Sequence, residues 1–338
     1  MADVHDGLRK GLEAQGHEIV SYAMEGRIAN AGSWLKHCWQ RAGRPKDNKP
    51  GPPDVIYLAS QGILERALRF EVDWTVVVSG IWTHPETFRL MRRAGLRVAI
   101  VLTESPYEMR DEAVLASLAT AVFTNERTAV PELSQHCKRA YYLPHSYDPE
   151  RHFPEQGGQL DSQVAAHDVV FVGTGWPERI ELLRDTDWAG VDLGLYGSWE
   201  LVGSRNRLRR HICGGPVDNA ATAALYRRAR VGLNLHRSSV SCERDAPRVE
   251  GAESLAPRAL ELAACGRFFL SDYRVEMAEV FGDLVPMFRG PAELSELVRY
   301  YLRDERCRER LAANLPDAVR GRTFTNAACL LIKCLEEE

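Results

Sequence analysis

Short runs rich in β-branched residues alternate with amphipathic stretches along most of the chain, and this alternation restricts the possible folds more than any other feature. It favours an α/β architecture with parallel sheets, because each strand is followed by a helix that covers the sheet. The predicted strands cover residues 19–23, 55–59, 75–79, 98–103, 121–124 and 140–143 in the first half and residues 169–172, 193–196, 212–217, 231–235 and 268–271 in the second.

A polar segment separates the two series of strands. Residues 153–168 contain a glycine pair and few large apolar side chains, which is typical of a linker. We therefore predict domains over residues 1–152 and 169–319, a linker over 153–168 and a C-terminal helical segment over 320–338. The expected fold class is α/β, with two doubly wound domains facing a cleft.

The first residues depart from this pattern. A doubly wound domain usually starts with its central strand and a glycine-containing turn. This chain starts with a helix-like pattern, in which Val4, Leu8 and Leu12 recur every four residues. We therefore expect the first strand of the first domain to be missing, the alternative being a domain that begins with a helix.

Composition argues against several classes of protein. The 43 Lys and Arg residues against 47 Asp and Glu give a formal net charge of −4, which disfavours a surface built throughout to bind nucleic acid. No apolar run approaches the ~20 residues that cross a bilayer, and no apolar leader opens the chain. The eight cysteines form no C-x-x-C pair, so we expect a reduced, cytoplasmic protein without a zinc site.

The run F-V-G-T-G-W-P-E-R at residues 171–179 follows a predicted strand and leads into a helical pattern. Glycines at such a turn let backbone N–H groups approach an anion, and the positive end of the helix dipole adds to the attraction. Gly173, Thr174, Gly175 and Arg179 are therefore candidate anion ligands. An ordinary glycine-containing turn remains the alternative.

Two glutamates eight residues apart form the second candidate site. Glu253 lies before a helix predicted to start near Pro257, and Glu261 lies one turn into it. A carboxylate in this position can accept hydrogen bonds from both ribose hydroxyls of a nucleotide. Arg258, at the start of the helix, can pair with a phosphate.

Six runs together resemble a known family. The sequence resembles GT-B nucleotide-sugar glycosyltransferases of the glycosyltransferase group 1 type, in their spore-maturation-type (CgeB-like) branch. The resemblance covers most of the chain beyond residue 50 and rests on residues 103–108, 142–149, 171–183, 195–199, 231–237 and 257–266.

The resemblance implies two Rossmann-like domains, no cofactor, no metal site and a nucleoside diphosphate sugar as co-substrate. It implies that Glu261 holds the ribose and that Arg179 and Arg258 neutralise the diphosphate. It also implies that Glu253 contacts the sugar or phosphate end of the donor or takes part in catalysis. The other expected donor contacts are Gly173, Thr174, Gly175, Gly215, Val217 and His236. It further implies that the C-terminal helix packs back towards the first domain.

His84 and Glu104 are the catalytic candidates of the first half. Both follow predicted strands, where sites of α/β proteins form, and either can act as general base on an acceptor hydroxyl. A structural histidine is the alternative for His84. Because this family more often carries Asp where this chain has Glu104, the resemblance supports donor binding better than the chemical step.

The function that we expect is metal-independent transfer of a sugar from a nucleoside diphosphate to an acceptor hydroxyl. Two alternatives stay open: a non-catalytic protein that binds a sugar nucleotide, and a nucleotide-sugar epimerase. The acceptor can be a glycan, a protein, a nucleic acid or a small molecule. The sequence leaves the sugar, the base, the stereochemical outcome and the oligomeric state open.

Overall fold

The computed structural model describes residues 2–43, 46–155 and 164–337. The chain divides into two compact units: unit 1 runs to Leu143 and resumes at Ala328, and unit 2 is Pro144–Ala327. Of the segment predicted as a linker, residues 156–163 lie outside the described part of the chain. No helix in the described ranges is long and apolar enough to cross a membrane.

Unit 1 contains one parallel sheet that follows three helices. Its elements are α1 (Ala2–Glu13), α2 (Met24–Arg41), α3 (Pro52–Arg69), β1 (Thr75–Val78), α4 (Pro85–Arg93), β2 (Val98–Leu102), α5 (Met109–Leu118), β3 (Ala121–Thr124), α6 (Val130–Leu133) and β4 (Ala140–Tyr142). The strands lie side by side in chain order, β1-β2-β3-β4, and all pairs are parallel.

The core of unit 1 lies where helices cover the central strands. Strands β2 and β3 are buried along their whole length, whereas edge strand β1 is half-buried. Ile63 of α3, together with Phe88 and Met91 of α4, packs against Ile100 and Val122 of these strands. The sheet is therefore held by amphipathic helices, as the alternation predicts.

Two predicted strands of the first half are wrong. Residues 55–59 lie inside α3, whose start is set by Pro52, Pro53 and a backbone contact of Gly51 with the Asp54 carboxylate. Residues 19–23 form neither helix nor strand, and the Tyr22 hydroxyl donates to the carbonyl of Ala59 in α3 at 2.6 Å. Both runs are short and apolar, a pattern that does not separate a strand from a buried helix.

Unit 2 contains a six-stranded parallel sheet. Its elements are β5 (Val169–Val172), α7 (Pro177–Asp185), β6 (Leu193–Tyr196), β7 (Ile212–Gly214), α8 (Asn219–Arg228), β8 (Val231–Asn234), α9 (Pro257–Ala264), β9 (Phe269–Asp272), α10 (Val275–Phe281), β10 (Met287–Phe288), α11 (Pro291–Arg303), α12 (Glu305–Ala312), α13 (Leu315–Val319) and the start of α14 (Phe324–Glu336). Strand β10, only two residues long, is missing from the predicted set.

The strand order of unit 2 is β10-β9-β8-β5-β6-β7, so the winding reverses between β5 and β8. Both faces of the sheet are covered. Val169 and Phe171 point into one apolar cluster, whereas Val170 points into the other, as the two-residue period of a strand requires. Unit 2 is thus doubly wound, and its reversal marks the edge at which such folds bind ligands.

Candidate functional site

The carboxyl ends of β5, β6 and β7 carry closely packed glycine turns. Gly173 and Gly197 have φ angles of +155° and +119°, which side chains rarely permit. A Cβ atom at Gly197 would collide with the carbonyl oxygen of Gly173, and one at Gly173 would collide with the Arg258 guanidinium. The Gly197 N–H donates to the Gly215 carbonyl at 3.0 Å, which holds the loop with the expected donor contacts Gly215 and Val217 next to this turn.

The amides of the glycine-rich turn are largely occupied within the sheet edge. Gly173 N–H donates to Tyr196 O at 2.9 Å, and Gly175 N–H donates to Ser198 O at 2.8 Å. Trp176 N–H donates to Thr174 O at 3.0 Å. An anion at this edge would therefore be bound mainly by side chains and helix ends, and less by the amides of the turn.

Arg258, in the first turn of α9, spans the reversal point. Its Nε donates to Val172 O at 2.7 Å and its Nη1 donates to Leu235 O at 3.2 Å, so one guanidinium joins the ends of β5 and β8. The same group lies 4.5 Å from the centre of the Phe171 ring. A guanidinium has five N–H donors, so these bonds leave donors for a phosphate.

Arg179, in the first turn of α7, is 6% exposed and donates from Nη1 to Thr174 O at 2.9 Å. Two further arginines follow the next strands. Arg237 stacks on the Trp176 ring at 4.0 Å, and Arg274 donates from Nη2 to Arg237 O at 2.8 Å. These four arginines lie at the carboxyl edge of unit 2, and sequence analysis singled out Arg179 and Arg258 among them.

The N-terminus of α9 has no side-chain cap. Its N-cap residue is Ala256, which makes no side-chain hydrogen bond. Pro257 has no N–H and the Ala259 N–H donates to the Ala256 carbonyl at 3.1 Å, so the helix start offers a ligand its dipole and the Arg258 side chain more than a row of amides. Glu261 lies one turn further along, half-buried. Within the described residues its carboxylate makes no hydrogen bond, although burial and then the Glu261 charge raise the pKa of neighbouring Tyr226.

Glu178, in the first turn of α7, binds the loop that follows β8. Glu178 Oε1 accepts from the N–H groups of Ser238 and Ser239 at 2.7 and 3.3 Å, and Oε2 accepts from the Ser239 hydroxyl at 2.5 Å. A β-bridge between Ser239 and Arg248 closes the loop that follows β8. The tip, residues 242–245, is exposed.

His236 is turned into the protein against Asp272. Its N–H and its Nδ1 contact the Asp272 carboxylate at 3.0 and 2.5 Å, and its Nε2 lies 3.4 Å from Asn234 Nδ2. Burial lowers the pKa of His236, although the Asp272 charge opposes this. Burial would raise the pKa of Asp272, yet the contacts and charge of His236 outweigh it and lower that pKa. These shifts favour a neutral histidine beside an ionised aspartate. Because His236 is buried and bonded to Asp272 at the end of β9, it supports the ends of β8 and β9 from behind the edge.

Glu253 belongs to the loop immediately before α9. Its carbonyl accepts from the Glu276 N–H at 3.1 Å, and the side chain is half-buried. Together with Arg258 and Glu261 it lies on or next to one helix start, as the spacing predicts. The part of the chain described here contains no group of three or more His, Cys, Asp or Glu side chains placed to hold a metal ion.

The carboxyl edge of the unit 1 sheet is acidic. Glu104 follows β2, and its N–H donates to Oε1 of Glu112 at 3.1 Å. Glu112 is 1% exposed and also accepts from the Ser105 hydroxyl, which in turn accepts from Thr124 at 2.7 Å. Burial raises the pKa of Glu112 to about 7, and the charges of Glu104 and Glu108 add to this effect. Sequence analysis missed Glu112, because a glutamate on a helix is ordinarily solvated.

His84 is the N-cap of α4. Its Nδ1 accepts from Glu86 N–H at 3.3 Å, its own N–H donates to Ser60 Oγ at 2.9 Å, and its ring meets Tyr57 edge-on at 5.0 Å. A neutral imidazole that accepts through Nδ1 carries its proton on Nε2, so it is a donor at its other nitrogen. These contacts favour a capping role.

A curated relative shares sequence with most of the chain. The Spore protein CgeB of Bacillus subtilis (strain 168) is 23% identical over 264 residues, which covers 75% of this chain and 80% of that protein.

Solved structures share the fold at lower identity. A sucrose-phosphate synthase from Thermosynechococcus elongatus superposes with a TM-score of 0.61 at 12% identity, covering 86% of this chain and 79% of its own. Anabaena HepE in complex with UDP-glucose gives a TM-score of 0.58 at 13% identity, covering 83% and 82%. The two parallel-sheet units are thus those of the GT-B fold, which confirms the predicted fold class.

The remaining comparison concerns family membership directly. The model of the family described as "Glycosyl transferase-like" matches residues 159–329, a span that takes in β5, the glycine turns, all four arginines and α9. The sequence resemblance, the fold and this match agree, and the chain belongs to the glycosyl transferase-like family of GT-B group 1 type.

Proposed function

We propose that this chain transfers a sugar from a nucleoside diphosphate donor to a hydroxyl group of an acceptor. Family and fold make it a glycosyltransferase-like protein, and one observation supports the finer statement. The edge of unit 2 combines an uncapped helix start at α9, the guanidinium of Arg258 and the carboxylate of Glu261 within two helical turns. Those are the groups that a diphosphate and a ribose need.

Each part of the donor has a candidate partner in unit 2. The diphosphate would meet the α9 N-terminus, Arg258 and Arg179, because a helix start and guanidinium groups both attract phosphate oxygens. The ribose would bind Glu261, and the base would lie along the Gly215 to Val217 loop. Glu253 would contact the sugar. A sugar nucleotide bound by Anabaena HepE supports this class of donor.

The reaction would be a substitution at the anomeric carbon. The acceptor oxygen forms a bond to that carbon while the bond to the diphosphate oxygen breaks, and the electron pair leaves with the diphosphate. The acceptor proton passes to a base, for which Glu104 in unit 1 is the candidate. Arginines and a helix dipole stabilise the charge on the leaving group, a role that requires no metal ion.

The test is a thermal-shift screen of nucleoside diphosphates and their sugars, followed by an assay of nucleoside diphosphate release with and without acceptors. A ligand at 100 times its Kd stabilises a protein by about 2.7 kcal/mol. We expect one nucleotide class to stabilise the protein, and Glu261→Ala to abolish that shift. Glu309→Ala, an exposed change on α12, is the matched control and should keep it.

The outcomes separate the competing functions. Nucleotide binding without any release of diphosphate would contradict transfer and favour a sugar-nucleotide-binding protein. Interconversion of the sugar without an acceptor would favour an epimerase. Absence of a shift with every nucleotide would overturn the proposed donor site itself.

A further inference from the structure

A buried glutamate outside the predicted motifs holds the loop in front of α9. Glu276, near the start of α10, is 2% exposed. Its Oε2 accepts from Leu255 N–H at 2.8 Å, and its own N–H donates to the carbonyl of Glu253 at 3.1 Å. One residue therefore fixes both ends of the Glu253–Leu255 loop, the segment that carries the candidate sugar contact.

The other oxygen of Glu276 is bound by Arg322. Nη1 of Arg322 lies 2.8 Å from Oε1, so the carboxylate divides its two oxygens between an arginine and a backbone amide. Arg322 lies just before α14, and its carbonyl accepts from Tyr147 N–H at 3.0 Å. The Tyr147 carbonyl in turn accepts from Phe324 N–H at 3.2 Å, which pairs the two segments in parallel.

These two segments lie next to the points at which the chain passes between the two units. Unit 1 passes to unit 2 between Leu143 and Pro144, and unit 2 passes back between Ala327 and Ala328. Tyr147 and Arg322 lie within a few residues of these passages. Contacts within unit 2 thus connect both passages, through Arg322 and Glu276, to the loop before α9.

Stability alone is a weak explanation for this arrangement. Glu276 is buried, whereas Arg322 is half-buried. The desolvation of a buried carboxylate largely offsets its attraction to an arginine, so apolar side chains of similar size would stabilise the fold as well or better. Hydrogen bonds donated to a carboxylate are directional and fix the positions of their donors, which apolar contacts do less sharply. Building on the proposed function, we propose that Glu276 and Arg322 are positioning residues. They hold Glu253 in place for the sugar of the donor and connect the loop before α9 to the two passages of the chain between the units.

The test compares Arg322→Met with Arg322→Lys. Methionine removes the charge and keeps much of the length, whereas lysine keeps the charge. We expect Arg322→Met to lower kcat/KM for the sugar nucleotide about tenfold or more, while the affinity for the nucleoside monophosphate, which lacks the sugar, stays within about twofold. Arg322→Lys should recover most of the loss. Arg320→Met, at an exposed arginine two residues earlier, is the matched control.

A second readout is independent of turnover. Hydrogen exchange at the Leu255 amide should quicken about tenfold in Arg322→Met and stay unchanged in Arg320→Met. Unchanged exchange and unchanged kcat/KM would overturn the proposal, as would monophosphate affinity and turnover that fall together in proportion to lost thermal stability. If the wild-type protein binds no nucleotide, the proposed function fails and the exchange experiment alone decides the positioning role of Arg322.

Discussion

The two sheets end in edges of opposite character. In unit 1 the strands follow chain order, and the carboxyl edge carries Glu104 and the buried Glu112. In unit 2 the order reverses between β5 and β8, and the carboxyl edge carries four arginines. One edge presents carboxyl groups, whereas the other presents guanidinium groups.

The difference follows from topology. A reversal sends neighbouring crossovers to opposite faces, which opens a crevice at the strand ends, and the starts of α7 and α9 point at it. A sheet in simple chain order has no such crevice, and its edge is shaped by the loops alone. Charge and topology therefore distinguish the two edges: unit 2 combines the reversal with arginines, whereas unit 1 has a simple strand order and an acidic edge.

Replacing Arg258 tests the basic edge most severely. Arg258→Met removes two hydrogen bonds to backbone carbonyls, so we expect a loss of about 3 kcal/mol in unfolding free energy. The nucleotide affinity should also fall by about 100-fold, since the proposed charge-assisted contact with phosphate is lost. Denaturant unfolding and calorimetric titration measure the two effects.

Arg258→Lys separates the two roles of this side chain. Lysine keeps the charge but lacks the planar fork that reaches both carbonyls. We expect most of the stability loss to persist while part of the nucleotide affinity returns. Full nucleotide binding by Arg258→Met would contradict the assignment of the diphosphate to this helix start.

Glu112 makes the acidic edge sensitive to pH. Its pKa is raised from 4.5 to about 7, so the folded protein holds this proton more tightly than the unfolded chain does. The resulting stabilisation, roughly 3 kcal/mol, is complete below pH 4.5 and is lost as the pH rises through about 7. The free energy of unfolding of Glu112→Gln should therefore change much less with pH than that of the wild type. Denaturant titration between pH 4 and 8 measures this difference.

Glu132→Gln, at an exposed glutamate of α6, is the control and should follow the wild type. The titration also distinguishes the units: the pKa values of the buried His236 and the half-buried Asp272 are lowered in the folded protein, so their contribution to stability is lost as the pH falls. An unchanged pH profile in Glu112→Gln would contradict the raised pKa of Glu112.

The smallest effect is expected at His84. His84→Ala should cost about 1 kcal/mol because α4 loses its cap, whereas His84→Asn should keep the cap and the stability. Transfer by the Asn variant should stay within about twofold of wild type if the role is structural. A 100-fold loss of transfer at unchanged melting temperature would instead indicate that His84 is a catalytic base at the unit 1 edge.

Strand positions were predictable where periodicity and turn residues agreed. Nine of the predicted strands appear, because runs such as residues 98–103 and 231–235 are apolar and flanked by turns. The strand predicted over residues 55–59 is wrong because the helical period becomes visible only over a longer window, in which Ile63 and Ala67 follow one and two turns after Ala59. The start of α9, with Arg258, was predictable from Pro257 and the spacing of the two glutamates.

The remaining features depend on contacts that no local pattern encodes. Glu112 and Glu276 look like solvated helix residues in the sequence, and only packing buries them. The bonds of Arg258 to Val172 and Leu235 join three segments far apart in the chain. A charge can be placed at a helix start from sequence, but its partners follow from tertiary structure.

The loop after β8 has a practical consequence for protein engineering. Its base is pinned by Glu178 and by the bridge between Ser239 and Arg248, whereas residues 242–245 protrude into solvent. Lengthening a loop whose ends are fixed costs only about 0.6 kcal/mol per doubling of its length. This tip is therefore a suitable place to insert a peptide tag or a fluorophore that reports on the adjacent edge without disturbing the residues that form it.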